Sequence, residues 1–135
     1  MPFRLSTCGH YAVLLMYESA RAGDSFCSLA DIAGVQKVSP GYLEQIVRPL
    51  RDAGLVESRR GFGGGYTLAL PPSQITVGNI VRTVEGPVVP VKCAGEGDVP
   101  DECPDNCQAR RVWRKVGEAI DSVLDSVTLE DLLQE

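Results

Sequence analysis

Two helix starts lie close together in the first third of the chain, and they constrain its fold more than any other feature. Ser28-Leu-Ala-Asp31 has the pattern of a capping box, in which the serine hydroxyl accepts from first-turn amides that have no partner in the helix. Ser39 precedes Pro40, and proline suits the first helical position because its missing N–H would be unpaired there anyway. After it, Leu43, Ile46, Val47 and Leu50 form one apolar stripe at helical spacing, and Gly54 is placed to end the helix in a left-handed conformation. The spacing predicts a short helix running towards Gly34, a tight connection and a second helix. The outer face of that second helix carries Gly41, Glu44, Gln45, Arg48 and Arg51. Pro49 lies inside it, removing a hydrogen bond and crowding the preceding turn, so a kink or an early end is expected. Two short helices joined this tightly, the second with polar residues outward, make a helix-turn-helix pattern.

The flanking sequence supplies the rest of a small domain. Tyr11 to Tyr17 is apolar on nearly every side and predicts a buried helix ending at Gly23 and Asp24. Leu55 to Arg60 and Tyr66 to Leu70 read as two short strands joined by the glycine-rich stretch between them, a hairpin with a flexible tip. That stretch has neither the G-x-G-x-x-G spacing nor the Gly-Lys-Ser/Thr ending of phosphate-cradling loops. Thr76 is placed to cap a helix with Val77, Ile80, Val81 and Val84 on one face. The segment from Gly86 to Asn106, with Pro87, Pro90, Pro100 and Pro104, reads as a long loop, and long loops in compact domains are usually functional or disordered. From Cys107 a long helix is expected, with Ala109, Val112, Trp113, Val116, Ile120, Val123, Leu124 and Val127 on one stripe. Such a stripe needs a partner, and its place beyond a long loop favours a two-fold dimer. Thr128-Leu-Glu-Asp131 starts a short last helix. The expected fold is mainly α with a small β-hairpin wing: a winged helix-turn-helix over 1–85, a cysteine-containing loop over 86–107, and a dimerisation helix with a short C-terminal helix over 108–135.

A chain of 135 residues is short for two independent cores. Its formal charge of −5 speaks at first against DNA, which is bound largely through neutralised phosphates. The distribution answers this: Met1 to Leu70 holds seven Lys and Arg against six Asp and Glu, whereas Pro71 to Glu135 holds six against twelve. The apolar run at Tyr11 to Tyr17 is too short to span a membrane and is followed by Glu18, so a cytoplasmic chain is expected. In that reducing compartment its five cysteines are poor candidates for disulfides and point to metal or redox chemistry. No nucleophile–base pair or paired catalytic carboxylates stand in a convincing context, so an enzyme is not expected.

Taken together, Arg4-Leu-Ser, Gly9-His-Tyr-Ala-Val13, Ser39-Pro-Gly-Tyr-Leu-Glu-Gln45, Leu50-Arg-Asp-Ala-Gly-Leu-Val56 and Arg60-Gly-Phe-Gly-Gly-Gly-Tyr66 are similar to a known family. With Val77-Gly-Asn-Ile80, Glu85-Gly86, the cysteine loop and the Trp113 helix, the chain resembles the bacterial winged-helix regulators that include the iron-sulfur cluster regulator IscR, the nitric-oxide-sensitive repressor NsrR and the cysteine-metabolism repressor CymR. The resemblance implies a homodimeric repressor on a pseudo-palindromic operator in double-stranded DNA, joined by its long C-terminal helices. By motif position it assigns DNA contacts to Ser39, Tyr42, Glu44, Gln45 and Arg48, with Arg60 as the wing contact. Those residue types suit the roles: Glu accepts from cytosine N4, Gln pairs with adenine, and Arg reads guanine or a narrow minor groove.

The resemblance also implies a 2Fe-2S or 4Fe-4S cluster, one that purification can strip, on Cys93, Cys103 and Cys107. Thiolates suit iron-sulfur chemistry. The gaps of nine and three residues depart from the even spacing of cluster-binding relatives, although loop length tolerates insertion well. The His that the cluster-assembly regulator places after its last Cys is Arg110 here. In the nitric-oxide sensor the fourth ligand comes from the first helix of the other subunit, and the matching residue is His10, with Cys8 a second candidate. Cys27 reads as a small buried apolar residue. Five acids and no base lie between Gly95 and Asp105, where negative charge would disfavour electron addition to a cluster. The alternatives are the same DNA-binding chain with a thiol switch or a zinc site on these cysteines, or cofactor-free control through a protein partner. An iron-sulfur electron carrier would need neither the Arg-bearing helix nor the wing.

Overall fold

The computed structural model describes residues 7–61, 64–87 and 108–134. Helix α1 (Thr7–Arg21) is the centre of the domain, with Ala12, Leu15, Met16 and Ala20 buried. Helix α2 (Leu29–Gln36) begins where Ser28 accepts from the Asp31 amide at 3.0 Å. It runs past Gly34, and the turn falls on Lys37, whose φ of 58° and ψ of 44° are left-handed. The sequence put that break too early because it sought a glycine. Here a non-glycine residue takes up the strain, which costs about 1–2 kcal/mol, and its amide closes on the Ala33 carbonyl.

Helix α3 (Pro40–Asp52) starts at Ser39, whose hydroxyl accepts from the Tyr42 amide at 3.2 Å. Leu43, Ile46, Val47 and Leu50 are all buried, as the stripe predicted. The expected early end at Pro49 does not occur. Proline forfeits only its own amide, its carbonyl still accepts from Ala53 at 3.0 Å, and fully buried Leu50 pins the last turn. Gly54 follows at φ 79°, the left-handed residue anticipated.

Strands β1 (Val56–Arg59) and β2 (Gly65–Leu68) pair antiparallel, with Val56 opposite Leu68 and Arg59 opposite Gly65. Both are shorter than the sequence suggested, although Ala69 still donates to Leu55 beyond them. The inner face holds Val56, Tyr66 and Leu68 against the core. Cys27 adds a bridge that sequence pattern did not reveal: its amide and carbonyl exchange hydrogen bonds with Tyr66 at 2.8 and 2.7 Å, so the α1–α2 connection forms a third rung of the wing. Its thiol is half-buried rather than fully buried, and burial, followed by the Glu18 and Asp31 charges, raises its pKa.

After a 3-10 turn (Pro72–Gln74), α4 (Val77–Glu85) opens with a complete capping box between Thr76 and Asn79. Helix α5 (Gln108–Asp125) packs on α4, and α6 (Leu129–Leu133) opens with another box between Thr128 and Asp131. The two ends of the domain are stitched by backbone: Val77 donates to the Val127 carbonyl at 2.8 Å and Leu129 to the Ile75 carbonyl at 3.0 Å. Val127 therefore leaves the α5 stripe to which the sequence assigned it, because the chain turns at Ser126, which donates to the Val123 carbonyl. Leu129 is fully buried in the same core as α1 and α3, and burying a leucine of this kind contributes roughly 1.5–3 kcal/mol.

Candidate nucleic-acid interface and cysteine site

Helix α3 is two-sided. Its buried stripe leaves Ser39, Glu44, Gln45 and Arg48 exposed together on the outside. Because Glu44 and Arg48 are four residues apart on a helix, they share a face, with Gln45 beside them. Tyr42 is different: it is half-buried, and its ring meets Tyr11 of α1 edge to face, with centroids 5.9 Å apart at 83°. Burial raises its phenol pKa, with smaller contributions from Cys8 and Tyr11. Tyr42 thus also serves to seat the first turn of α3 on α1.

Arg60 is exposed just past the end of β1. Its neighbour Arg59 holds its guanidinium 5.6 Å from the centre of the Phe26 ring, a cation–π contact that ties the wing to the segment before α2. The sequence reading did not single out that pair. The one available signal was an aromatic residue beside Cys27, with no indication of the long-range pairing that brings it to the wing.

The structure places the cysteine-site residues unevenly. Cys93, Cys103 and Cys107 lie outside the described residues. His10 is exposed on α1, its ring 5.2 Å from that of Tyr11 and tilted by 68°. Cys8 lies two residues earlier and is half-buried, its thiol pKa raised by burial and then by the Glu85 charge. Among the described residues, no three His, Cys, Asp or Glu side chains come together to hold a metal ion.

Among the described residues, helix α5 is fastened to the domain through α4. Arg82 of α4 donates to Asp121 at 3.0 Å and also to Asp125, and Gly117 is buried against the domain. These hydrogen bonds, Asp125 first, raise the Arg82 pKa further. The other side of α5 shows Val112 at 52%, Trp113 at 38%, Val116 at 38% and Val123 at 64% exposure, a run of apolar side chains facing outward. Contiguous apolar surface of this kind marks an interaction site.

Comparison with known proteins settles the family. The Rrf2 profile, described as iron-dependent transcriptional regulator, matches residues 5–135. The chain belongs to the Rrf2 family. Among curated relatives, the transcriptional regulator CymR of Bacillus subtilis is 48% identical over 90 residues, 66% of this chain and 65% of that protein. The regulator IscR of Aliivibrio salmonicida is 45% identical over 94 residues, 69% of this chain and 56% of that protein. The matched stretch thus spans between just over half and just under two thirds of these relatives. Among solved structures, CymR of B. subtilis, the global cysteine regulator of that organism, superposes with a TM-score of 0.81 at 44% identity, covering 97% of this chain and 96% of that one. IscR of T. potens gives 0.81 at 41%, covering 99% and 88%. The Rrf2 relatives are named transcriptional regulators, not enzymes, and among the described residues no helix is long and apolar enough to cross a membrane.

Proposed function

We propose that this chain is a homodimeric, cytoplasmic repressor that reads a pseudo-palindromic operator with α3 and the wing, under the control of an iron-sulfur cluster on Cys93, Cys103 and Cys107. The observation that carries the DNA-binding reading is the two-sided α3. A fully buried stripe fixes the helix, and its free face presents a carboxylate, an amide and a guanidinium in adjacent positions. Those groups match the hydrogen-bonding edges of bases in a major groove, and Arg60 stands at the wing where a narrow minor groove would run. The apolar face of α5 supports the dimer, and two-fold symmetry accounts for a palindromic site.

Glu44 tests the assignment directly. Duplexes enriched by the wild-type protein from a random-sequence pool define the half-site. Glu44→Ala then relaxes discrimination at one base pair per half-site, by about 1–3 kcal/mol, with the others unchanged. An equal loss of affinity for every sequence would remove Glu44 from base reading and leave it a solvated residue.

The cluster reading rests on the donor set: three cysteines between residues 93 and 107 of the sequence, and an imidazole, His10, exposed on α1. A cluster bound there would supply a centre sensitive to oxidants and to ligands of iron. The residues of this chain would hold it and pass its presence or loss on to α3. Protein purified without oxygen should be brown, with matching iron and sulfide, and Cys103→Ala should bleach it. A colourless wild-type protein that also resists anaerobic reconstitution would move control to a thiol switch or a zinc site and leave the DNA reading intact.

A further inference from the structure

The end of α4 is tied to the first turn of α1. The Gly9 amide donates to Glu85 Oε1 at 3.3 Å, joining residues 76 positions apart in the chain. The contact depends on glycine: a Cβ at residue 9 would stand 2.8 Å from the Glu85 carboxyl carbon. A carboxylate is also well placed there, because first-turn amides carry the positive end of the helix dipole. Next to Gly9, His10 meets Tyr11 edge-on, and Tyr11 meets Tyr42 in the first turn of α3. A continuous line of contacts thus runs from Glu85, the last residue of α4, to the helix that carries Glu44, Gln45 and Arg48.

We infer that Glu85 is a positioning residue for α3: by holding the first turn of α1 it fixes, through Tyr11 and Tyr42, the pose of the helix proposed to read DNA. The functional consequence rests on the DNA-binding reading above, whereas the mechanical link does not. If the link exists, a displacement of the end of α4 changes the seating of α3.

Two substitutions break the contact in opposite ways. Glu85→Ala removes the carboxylate, whereas Gly9→Ala keeps it and displaces it with a methyl group while adding a better helix former to α1. Amide hydrogen exchange of the full chain should rise about threefold or more in the first turns of both α1 and α3 in each variant, with β1 and β2 unchanged. The double variant should be no worse than either single one, because both remove the same interaction. Affinity for duplexes enriched by the wild type should fall about tenfold in all three. If exchange in α3 stays at the wild-type rate in both single variants, the link is overturned and Glu85 is a local cap of α1. If the wild type enriches no duplex, the DNA-binding reading fails, and the exchange comparison still decides the link.

Discussion

Val116→Asp is expected to turn the protein into a monomer and to weaken operator binding by about a hundredfold or more, since joining two half-site contacts multiplies affinity by roughly 10²–10⁴. Val116 lies midway along the outward face of α5, between Val112 and Val123, and none of the three is buried within its own chain. Packed on a second copy, each such side chain contributes roughly 1.5–3 kcal/mol. A carboxylate in the middle of that face would have to be desolvated without a partner, which costs several kcal/mol at least. The fold of the single chain should survive, because α5 is held to α4 by Arg82 with Asp121 and Asp125 and by buried Gly117, on the opposite side of the helix. Sedimentation equilibrium reads the mass, circular dichroism checks the fold, and titration against an enriched duplex reads the affinity. A variant that keeps the wild-type mass and affinity would mean that α5 is not the dimer contact.

Sequence told most where a signal is local. Ser28, Ser39, Thr76 and Thr128 each cap the helix they were expected to cap, since a cap needs only a side chain and an amide a few residues on. The apolar stripe of α3 was legible for the same reason, and so was the polar face opposite it. What escaped was set by tertiary structure. Lys37 adopts a left-handed turn that its residue type does not favour, because the packing of α2 on α3 fixes where the chain must reverse. Pro49 was read as a kink or an early end, yet the helix runs on to Asp52, where buried Leu50 outweighs the missing hydrogen bond. Arg82 finds Asp121 and Asp125 about forty residues away, and Glu85 finds Gly9 across almost the whole domain, distances over which no local pattern speaks. In the candidate site, the residues proposed to face DNA came from motif resemblance joined to helical spacing. Cys93, Cys103 and Cys107 were legible only as chemistry, because the spacing of cysteines in a proline-rich segment does not fix where their sulfurs lie.

The glycine-rich stretch after Arg60 illustrates the same limit and yields the second large prediction. Sequence suggested a flexible tip, but Gly65 is the first residue of β2, paired with Arg59. It sits at φ 143°, which L side chains rarely adopt, and a Cβ there would run into the Cys27 carbonyl oxygen. That carbonyl accepts from the Tyr66 amide, and the Cys27 amide donates back to Tyr66, so the methyl group of Gly65→Ala would pry apart the rung joining the wing to the α1–α2 connection. Loss of two hydrogen bonds at about 1 kcal/mol each, with backbone strain of about 1–3 kcal/mol, predicts a destabilisation of roughly 3–5 kcal/mol. That is a large share of the 5–15 kcal/mol typical of a domain, so the urea midpoint should drop sharply. Gly65 also pairs with Arg59, one residue before Arg60, so the strand that aims Arg60 would lose its register. DNA affinity should then fall by about tenfold or more even where the variant is still folded, and the salt dependence should become shallower as the charge of Arg60 is withdrawn from the DNA. If Gly65→Ala unfolds at the wild-type urea concentration and binds DNA with the wild-type salt slope, the wing does not depend on its bridge to Cys27. Its orientation would then have to come from Val56, Leu68 and the core beneath them.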